Sequence, residues 1–146
     1  MFSDIGLSLR VLSLYLQKPN NKKMSVQEIA ERLVALSREG KYEQVYQELF
    51  SPEIESMEPK LDGSWDTAKG FDELKAKADK WNEMCEAFEE GEISDPIVAE
   101  NFFSCSWKMR VKFKGAPEFM QMDEIAVYRV KEGKVVLEQF FYTPFE

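Results

Sequence analysis

The C-terminal part of the chain alternates apolar and polar residues, and this pattern constrains the fold more than any other feature. Between residues 103 and 113 each intervening side chain is Ser, Lys or Arg. Successive side chains of a strand point to opposite faces, so one face is predicted in the core and the other in water. We predict antiparallel strands over 92–99, 102–114, 118–130 and 135–142. The apolar face of the second strand contains Phe103, Cys105, Trp107, Met109, Val111 and Phe113.

Three amphipathic helices are predicted before these strands. The first begins at a capping residue, Ser25, and the second begins at Tyr42. The third begins at Gly70 and carries one apolar stripe as far as Phe88. A short strand over 54–57 is predicted between the second and third helices. Helices followed by an antiparallel meander predict an α+β domain, with the helices packed on one side of the sheet.

Composition limits the kinds of protein this can be. The chain has 146 residues, of which 44% are hydrophobic, enough for one domain with a core. Its 19 basic and 27 acidic residues give a formal charge of −8, which argues against nucleic-acid binding. No apolar run approaches the length of a transmembrane helix, so no membrane span is expected. Cys85 and Cys105 have neither metal-ligand nor disulfide-framework spacing, and a reduced, cytoplasmic protein is expected.

The N-terminal residues differ from the rest of the chain. Residues 1–23 mix a short apolar stretch with a polar tail, and Arg10 interrupts the apolar part. They resemble a signal peptide only weakly, because no small-residue cleavage site follows. We therefore predict an N-terminal appendage over 1–23, either a short extra helix or an extension, and a domain over 24–146.

The order of elements, together with two sequence segments and Trp81, is similar to that of a known family. The third helix is introduced by TAKGFDEL and carries Trp81, and the chain closes on EIAVYRVKEGKVVLEQFFY. Residues 24–146 thereby resemble the SnoaL-like branch of the nuclear transport factor 2-like superfamily. This resemblance implies a cone-shaped fold, in which three N-terminal helices pack on a strongly curved antiparallel sheet, resembling a cystatin-like α+β barrel. The superfamily includes isomerases, cyclases, dehydratases and non-catalytic binding domains, so the fold does not define the activity.

Several kinds of chemistry are excluded by missing residues. The chain contains no histidine, which removes Ser-His-Asp and Cys-His nucleophiles and histidine metal sites. It also lacks the glycine-rich phosphate-binding motifs, and we expect neither cofactor nor metal. SnoaL-like polyketide cyclases are associated with a histidine–aspartate arrangement, which this chain cannot supply. Acid–base chemistry would depend on carboxylates, tyrosines or lysines.

The last hairpin contains two unexpected carboxylates, Glu124 and Glu138. If residues 131–133 form a three-residue turn, Ala126 pairs with Glu138 and both glutamates lie on one face with Tyr128. That face is the more apolar one and is predicted to point inward. A four-residue loop over 115–118 agrees with this orientation and pairs Trp107 with Ala126. A three-residue loop would reverse the orientation and place Glu124 beside Lys108 on the wet face. It is the less favoured alternative.

The inward orientation predicts a site. Burial and mutual repulsion raise carboxyl pKa values, so Glu124 and Glu138 could share a proton or hold a polar ligand group, and Tyr128 could donate to an oxyanion. These three are the candidate catalytic residues. The alternative is that the glutamates are surface residues or ion-pair partners. The predicted ligand-binding walls are Trp81, Trp107, Met109, Met122 and Tyr142.

Three functions remain open. The favoured one is binding of a small apolar or amphipathic molecule without turnover, and the second is a cofactor-free isomerase, cyclase or dehydratase with a glutamate base and a tyrosine donor. The third is a structural dimerising module with a filled interior. Ile125, Val127, Leu137 and Phe141 are predicted on the outer face, where an apolar patch favours a homodimer through the sheet.

Overall fold

A computed structural model describes residues 23–89 and 91–145 of the protein. The predicted appendage over 1–23 therefore lies outside the described residues, apart from Lys23. The described part contains three helices: α1 (Val26–Arg38), α2 (Tyr42–Leu49) and α3 (Gly70–Met84). It contains seven strands: β1 (Phe50–Pro59), β2 (Trp65–Lys69), β3 (Cys85–Glu89), β4 (Ile97–Ala99), β5 (Phe102–Phe113), β6 (Met120–Lys131) and β7 (Lys134–Phe141).

The strands form one mixed sheet in the order β2-β1-β7-β6-β5-β3, and β4 also pairs with β5. The α+β class is confirmed, but two details of the expected fold are wrong. First, β1 and β7 pair in parallel, so the sheet is not purely antiparallel. Second, α3 follows β2, so the helices are not all N-terminal to the sheet. The described strands do not close into a barrel, because β2 and β3 stand at opposite ends of the path.

The helix starts follow from local chemistry. The Ser25 hydroxyl accepts a hydrogen bond from the backbone N–H of Glu28 at 3.1 Å, as the capping pattern predicts. The apolar face of α1 is fully buried, with Ile29 at 0% exposure. The sheet contributes the opposite half of the core. The core residues that β1, β5, β6 and β7 contribute are Phe50, Ile54, Phe103, Cys105, Ala126, Tyr128, Val130 and Val135.

The third helix is shorter than its apolar stripe predicts. It ends at Met84, and residues Cys85–Glu89 form β3, which pairs with β5. Helical spacing predicted continuation to Phe88, but Phe88 instead pairs with Val111. Pairing satisfies backbone groups along β5 that would otherwise lie at an open sheet edge, and this tertiary gain outweighs local helix propensity. The strand predicted over 92–99 is likewise reduced to β4 and one bridge, between Ile93 and Trp107.

The β6–β7 hairpin has a different register from the predicted one. Lys131 pairs with Lys134, so the turn has two residues, and both Glu132 and Gly133 have positive φ. A bulge follows in β7, which moves Glu138 opposite Tyr128 rather than opposite Ala126. The predicted three-residue turn is therefore wrong. The predicted face of Glu138 is nevertheless correct, because the extra bulge residue restores the alternation.

The β5–β6 register is also two residues away from the prediction. Trp107 pairs with Glu124, where pairing with Ala126 was expected. The loop is longer than four residues, since β5 ends at Phe113 and β6 begins at Met120. A two-residue shift leaves every side chain on its predicted face, because side-chain direction repeats every two residues. The alternative pairing of Glu124 with Lys108 is excluded.

Candidate functional site

The inner face of the sheet brings together the carboxyls and aromatic rings predicted from the sequence. Glu138 is 5% exposed and Tyr128 is 2% exposed, and the two residues are direct cross-strand partners. Glu124 is partly buried on the same face of β6. The ring of Tyr128 stacks on Phe103 with the centroids 4.7 Å apart. The predicted convergence of Glu124, Glu138 and Tyr128 on one inner face is therefore what the structure contains.

A chain of polar side chains connects β7, β1 and α3 through Glu138. Ser56, which is fully buried, is the parallel cross-strand partner of Glu138 and donates a hydrogen bond of 2.7 Å to its carboxylate. The Lys77 ammonium donates to the Ser56 hydroxyl at 2.7 Å and pairs with the Glu58 carboxylate at 2.9 Å. It also lies 5.0 Å from the centre of the Phe140 ring. The polar groups of Ser56 and Lys77 are therefore already engaged within the protein.

The charges of this group do not balance. Three carboxyls, of Glu58, Glu124 and Glu138, face one ammonium, of Lys77, so the group carries −3 + 1 = −2 when all are ionised. Burial raises the pKa of Glu138 above its usual value, against the opposing effects of Lys77 and Ser56. Burial also raises the pKa of Glu124 to about 7, and the Glu58 carboxylate adds to this rise. Glu124 can therefore gain or lose a proton near neutral pH.

Glu124 differs from Glu138 in its partners. Its carboxyl makes no hydrogen bond to any residue of the described chain, although it interacts electrostatically with the charges around it. Its cross-strand partner, Trp107, has a buried indole N–H that also has no hydrogen-bond partner among the described residues. The indole lies near the Cys105 thiol. Burial raises the pKa of that thiol to about 11, and the indole partly opposes this rise. An unpaired acceptor and an unpaired donor thus occupy neighbouring positions of β6 and β5.

Aromatic residues form the rim of this inner region. Tyr142 lies just after β7, and burial together with the nearby Glu58 carboxylate raises its pKa. Phe145 lies 6.4 Å from Tyr142 and 6.3 Å from Phe113, measured between ring centres. Trp81 packs edge-on against Phe113 at 5.6 Å. One row of contacting aromatic rings therefore runs from Trp81 through Phe113 and Phe145 to Tyr142.

The two predicted methionines lie beside each other on the same face. Met122 is buried, and its cross-strand partner Met109 is partly buried. They extend the face that carries Trp107 and Glu124 by one pair toward Val111. Unbranched thioether side chains adapt their shape readily, which suits both a core and a binding wall.

The sequence interpretation missed Lys77, Ser56 and Glu58. Lys77 follows Leu74 by three residues, so helical spacing alone placed a lysine on the buried stripe of α3. Ser56 and Glu58 share the inner face of β1 with Ile54 by alternation. These signals place each residue on a face. They could not identify its partners, because the partners come from elements distant in the sequence.

Two open clefts occur elsewhere on the surface. One, of about 510 Å³, is lined in part by Arg38, Ile93 and Lys108, and the Arg38 guanidinium in it is already engaged by the Ile93 carbonyl and Asp95. The other, of about 390 Å³, is lined in part by Lys112 and Phe119. Neither cleft is lined by Glu58, Glu124 or Glu138, so a pocket at Glu124 stays a prediction.

Residues 23–89 and 91–145 contain neither a group of metal ligands nor a candidate membrane span. In this range, no three acidic or cysteine side chains are arranged to hold a metal ion. Over the same range, no helix has both the length and the apolarity that crossing a membrane requires.

The fold defines the class of protein. In residues 23–89 and 91–145, the three helices and the seven-stranded mixed sheet match the folds of structures described as nuclear transport factor 2-like and cystatin-like. A sequence profile of the SnoaL-like domain matches residues 24–142, and the chain belongs to this family. No curated protein sequence matches the chain.

Solved structures agree with this assignment. A protein from Mesorhizobium loti, provisionally described as a SnoaL-like polyketide cyclase and also as a carbohydrate phosphatase, has 28% identity and a TM-score of 0.73. The match covers 82% of this chain and all of that one. A nuclear transport factor 2-like protein of unknown function from Burkholderia pseudomallei has 15% identity and a TM-score of 0.66, over 82% and 92% of the two chains. TerC, co-crystallised with polyporic acid, has 15% identity and a TM-score of 0.64, over 81% and 92%.

Proposed function

We propose that this SnoaL-like domain binds a small, largely apolar molecule between the sheet and the helices, with Glu124 holding a polar group of the ligand. The observation that carries the proposal is the Glu124 carboxyl, which is partly buried beside aromatic and methionine side chains and has no hydrogen-bond partner among the described residues. Buried polar groups are normally paired. A ligand hydroxyl or amine would supply the missing donor.

The other glutamate has a different role in this proposal. Glu138 is nearly inaccessible to solvent and already accepts a hydrogen bond from Ser56, so it does not contact the ligand and affects binding only through Glu124. Its charge contributes to the raised pKa of Glu124. Lys77 moderates this repulsion and holds Ser56 and Glu58 in place. Glu138 and Lys77 are therefore positioning residues, and Glu124 is the expected contact.

A second candidate is a cofactor-free isomerase, cyclase or dehydratase. It is favoured by the Glu124 pKa of about 7, which suits a general base at neutral pH. Tyr128 or Tyr142 would then donate a hydrogen bond to the developing oxyanion. The similarity to a protein described as a polyketide cyclase is compatible with this chemistry. Because this chain contains no histidine, it would need a mechanism based on carboxylate and tyrosine alone.

A thermal-shift screen of small oxygenated aromatic compounds tests both candidates. A compound that stabilises the wild-type protein should lose its effect in Glu124→Leu and keep it in Glu118→Gln, a matched change in the exposed loop before β6. The same compound is then followed by NMR for chemical conversion. Conversion that disappears in Glu124→Gln while binding persists favours the enzyme. Equal stabilisation of the wild-type and Glu124→Leu proteins would contradict a site at Glu124.

We also propose that the outer face of the sheet mediates a homodimer. Ile125 and Phe141 are cross-strand partners and are 53% and 43% exposed. Trp65 packs edge-on against Phe141 at 5.3 Å between ring centres and extends this patch onto β2. Val127 and Leu137, predicted as part of the same patch, are only partly buried. A contiguous apolar area of this kind on a sheet favours contact with a second copy.

A further inference from the structure

Two side chains of opposite hydrogen-bonding character, each without a hydrogen-bond partner among the described residues, occupy neighbouring positions of β5 and β6. Trp107 contributes an N–H that can only donate, and Glu124 contributes a carboxylate that mainly accepts. The two residues are direct cross-strand partners of β5 and β6, so their Cβ atoms are about 5 Å apart. They do not satisfy each other. A ligand that reaches both must therefore offer an acceptor atom and a donor hydrogen.

The neighbouring protein groups do not complete the hydrogen bonding of Trp107 and Glu124. The indole N–H of Trp107 lies close to the Cys105 thiol and the Tyr128 hydroxyl and partly opposes the rise in the pKa of both, but neither group is placed to accept a well-formed hydrogen bond from it. The Lys77 ammonium, the only cation near Glu124 within the described chain, is engaged by Ser56 and Glu58. An anionic ligand would therefore compete with the Glu58 carboxylate for this ammonium.

The charge of the site adds a second constraint. An anionic ligand at Trp107 would be close to Glu124, with Glu58 and Glu138 behind it. Like charges placed together in a partly buried site repel more strongly than in water. The single Lys77 ammonium cannot balance three carboxylates and an additional anion.

We propose that Trp107 and Glu124 together select an uncharged ligand that carries both an oxygen acceptor and a hydrogen-bond donor, and that the site rejects carboxylates. This inference rests on the proposed ligand-binding function and specifies the chemical class of its ligand. The Trp107 indole binds the ligand oxygen, and the Glu124 carboxylate binds the ligand hydroxyl. The specificity-determining pair is thus one residue from each of two adjacent strands.

Matched probes test this selection. The compounds are 4-(hydroxymethyl)acetophenone, which has both groups, 4-ethylacetophenone, which lacks the donor, and 4-(hydroxymethyl)benzoate, which is anionic. Binding is measured at about pH 7.5 by two-dimensional ¹H–¹⁵N NMR of the full chain, which resolves the indole signals of the tryptophans. Trp107→Phe assigns the relevant signal, and Trp65→Phe, on the outer face, is the control.

The expected result is a downfield shift of the Trp107 indole signal with the hydroxymethyl ketone. The carboxylate should bind at least about tenfold more weakly than this ketone, because a unit charge near Glu124 is unfavourable at the effective dielectric of a protein site. The donor-free ketone should bind about threefold to tenfold more weakly than the hydroxymethyl ketone, because it leaves the Glu124 carboxylate without a hydrogen-bond donor. Glu124→Gln should reduce the preference for the ketone over the carboxylate, whereas Glu118→Gln should not.

Two contrary results have different meanings. If the carboxylate binds as tightly as the ketone, or if the signals of β6 and β7 move while the Trp107 indole does not, the selection inference is wrong and the binding site remains. If none of the compounds moves any signal of the inner face up to its solubility limit, the proposed function is itself contradicted, and the inference fails with it.

Discussion

Replacement of Glu124 by Gln should stabilise the protein, and the gain should depend on pH. Gln has nearly the same shape but carries no charge, so the change removes only the cost of ionising a partly buried carboxyl. In the folded protein the Glu124 pKa is raised from 4.5 to about 7 by burial, by Glu58 and by Glu138, with Lys77 opposing them. A raised carboxyl pKa means that the folded state is penalised once the pH exceeds the unfolded value.

The magnitude follows from this pKa difference. Well above pH 7, the difference between a pKa of 4.5 and one of about 7 costs the folded state about 3 kcal/mol, since a tenfold change in an equilibrium constant corresponds to about 1.4 kcal/mol. At about pH 5.5 the cost falls to about 1.4 kcal/mol, because most of the folded protein then carries the proton. Below the unfolded pKa both states are protonated and the cost disappears. Glu124→Gln should therefore gain about 3 kcal/mol at pH 8.5 and roughly half of that at pH 5.5.

Urea unfolding of the wild-type and Glu124→Gln proteins at both pH values measures this difference. For a domain of this size, about 3 kcal/mol also corresponds to roughly 10 °C in Tm. Glu118→Gln, in the exposed loop before β6, is the control and should change stability by less than about 0.5 kcal/mol. A Glu124→Gln protein that is no more stable than wild type at pH 8.5, or equally stabilised at both pH values, would refute the assignment of Glu124 as a destabilising buried carboxyl.

Two further changes test the remaining interactions. Lys77→Met should destabilise the domain by about 2 kcal/mol in the same unfolding assay, because it leaves three carboxyls without a cation. This is less than for a fully buried pair, since the Lys77 and Glu58 side chains are 30% and 26% exposed. Lys75→Met, which removes the exposed pair with Asp79 on the same helix, should cost less than about 0.5 kcal/mol, and equal losses would argue against the cluster. Ile125→Asp should convert a sedimenting dimer to a monomer, whereas Ile97→Asp, at another exposed isoleucine on β4, should not. A wild-type monomer at all concentrations would contradict the interface.

The inner position of Glu124, Glu138 and Tyr128 could be predicted because it depends only on alternation. Both predicted registers were displaced, yet Glu124, Glu138 and Tyr128 kept their predicted face, whereas Val135, which precedes the bulge and was predicted on the outer face, is buried opposite Val130. In β6–β7 the two-residue turn through Gly133 is compensated by a bulge, and in β5–β6 the shift equals two residues. An error in predicted loop length can therefore change the cross-strand partner of a residue without changing the face of the sheet on which its side chain lies.

The partners of the glutamates were not predictable in the same way. Ser56 lies opposite Glu138 only because β1 joins β7 in parallel, between strands separated by most of the domain. Lys77 reaches Ser56 only because α3 packs against β1. The early end of α3 at Met84 has the same origin, since β5 offers a pairing surface to residues that locally favour a helix.

The sequence by itself determined the class of fold, the first two helices and the inward side of each long strand, because these depend on capping and on periodicity within single segments. Only the tertiary structure decided which strands are neighbours, where the third helix stops and which charges meet. Those outcomes depend on long-range packing and on the electrostatics of a shared interior. The raised pKa of Glu124 and the unpaired N–H of Trp107 belong to this second group, because each arises from residues that meet only in the folded domain.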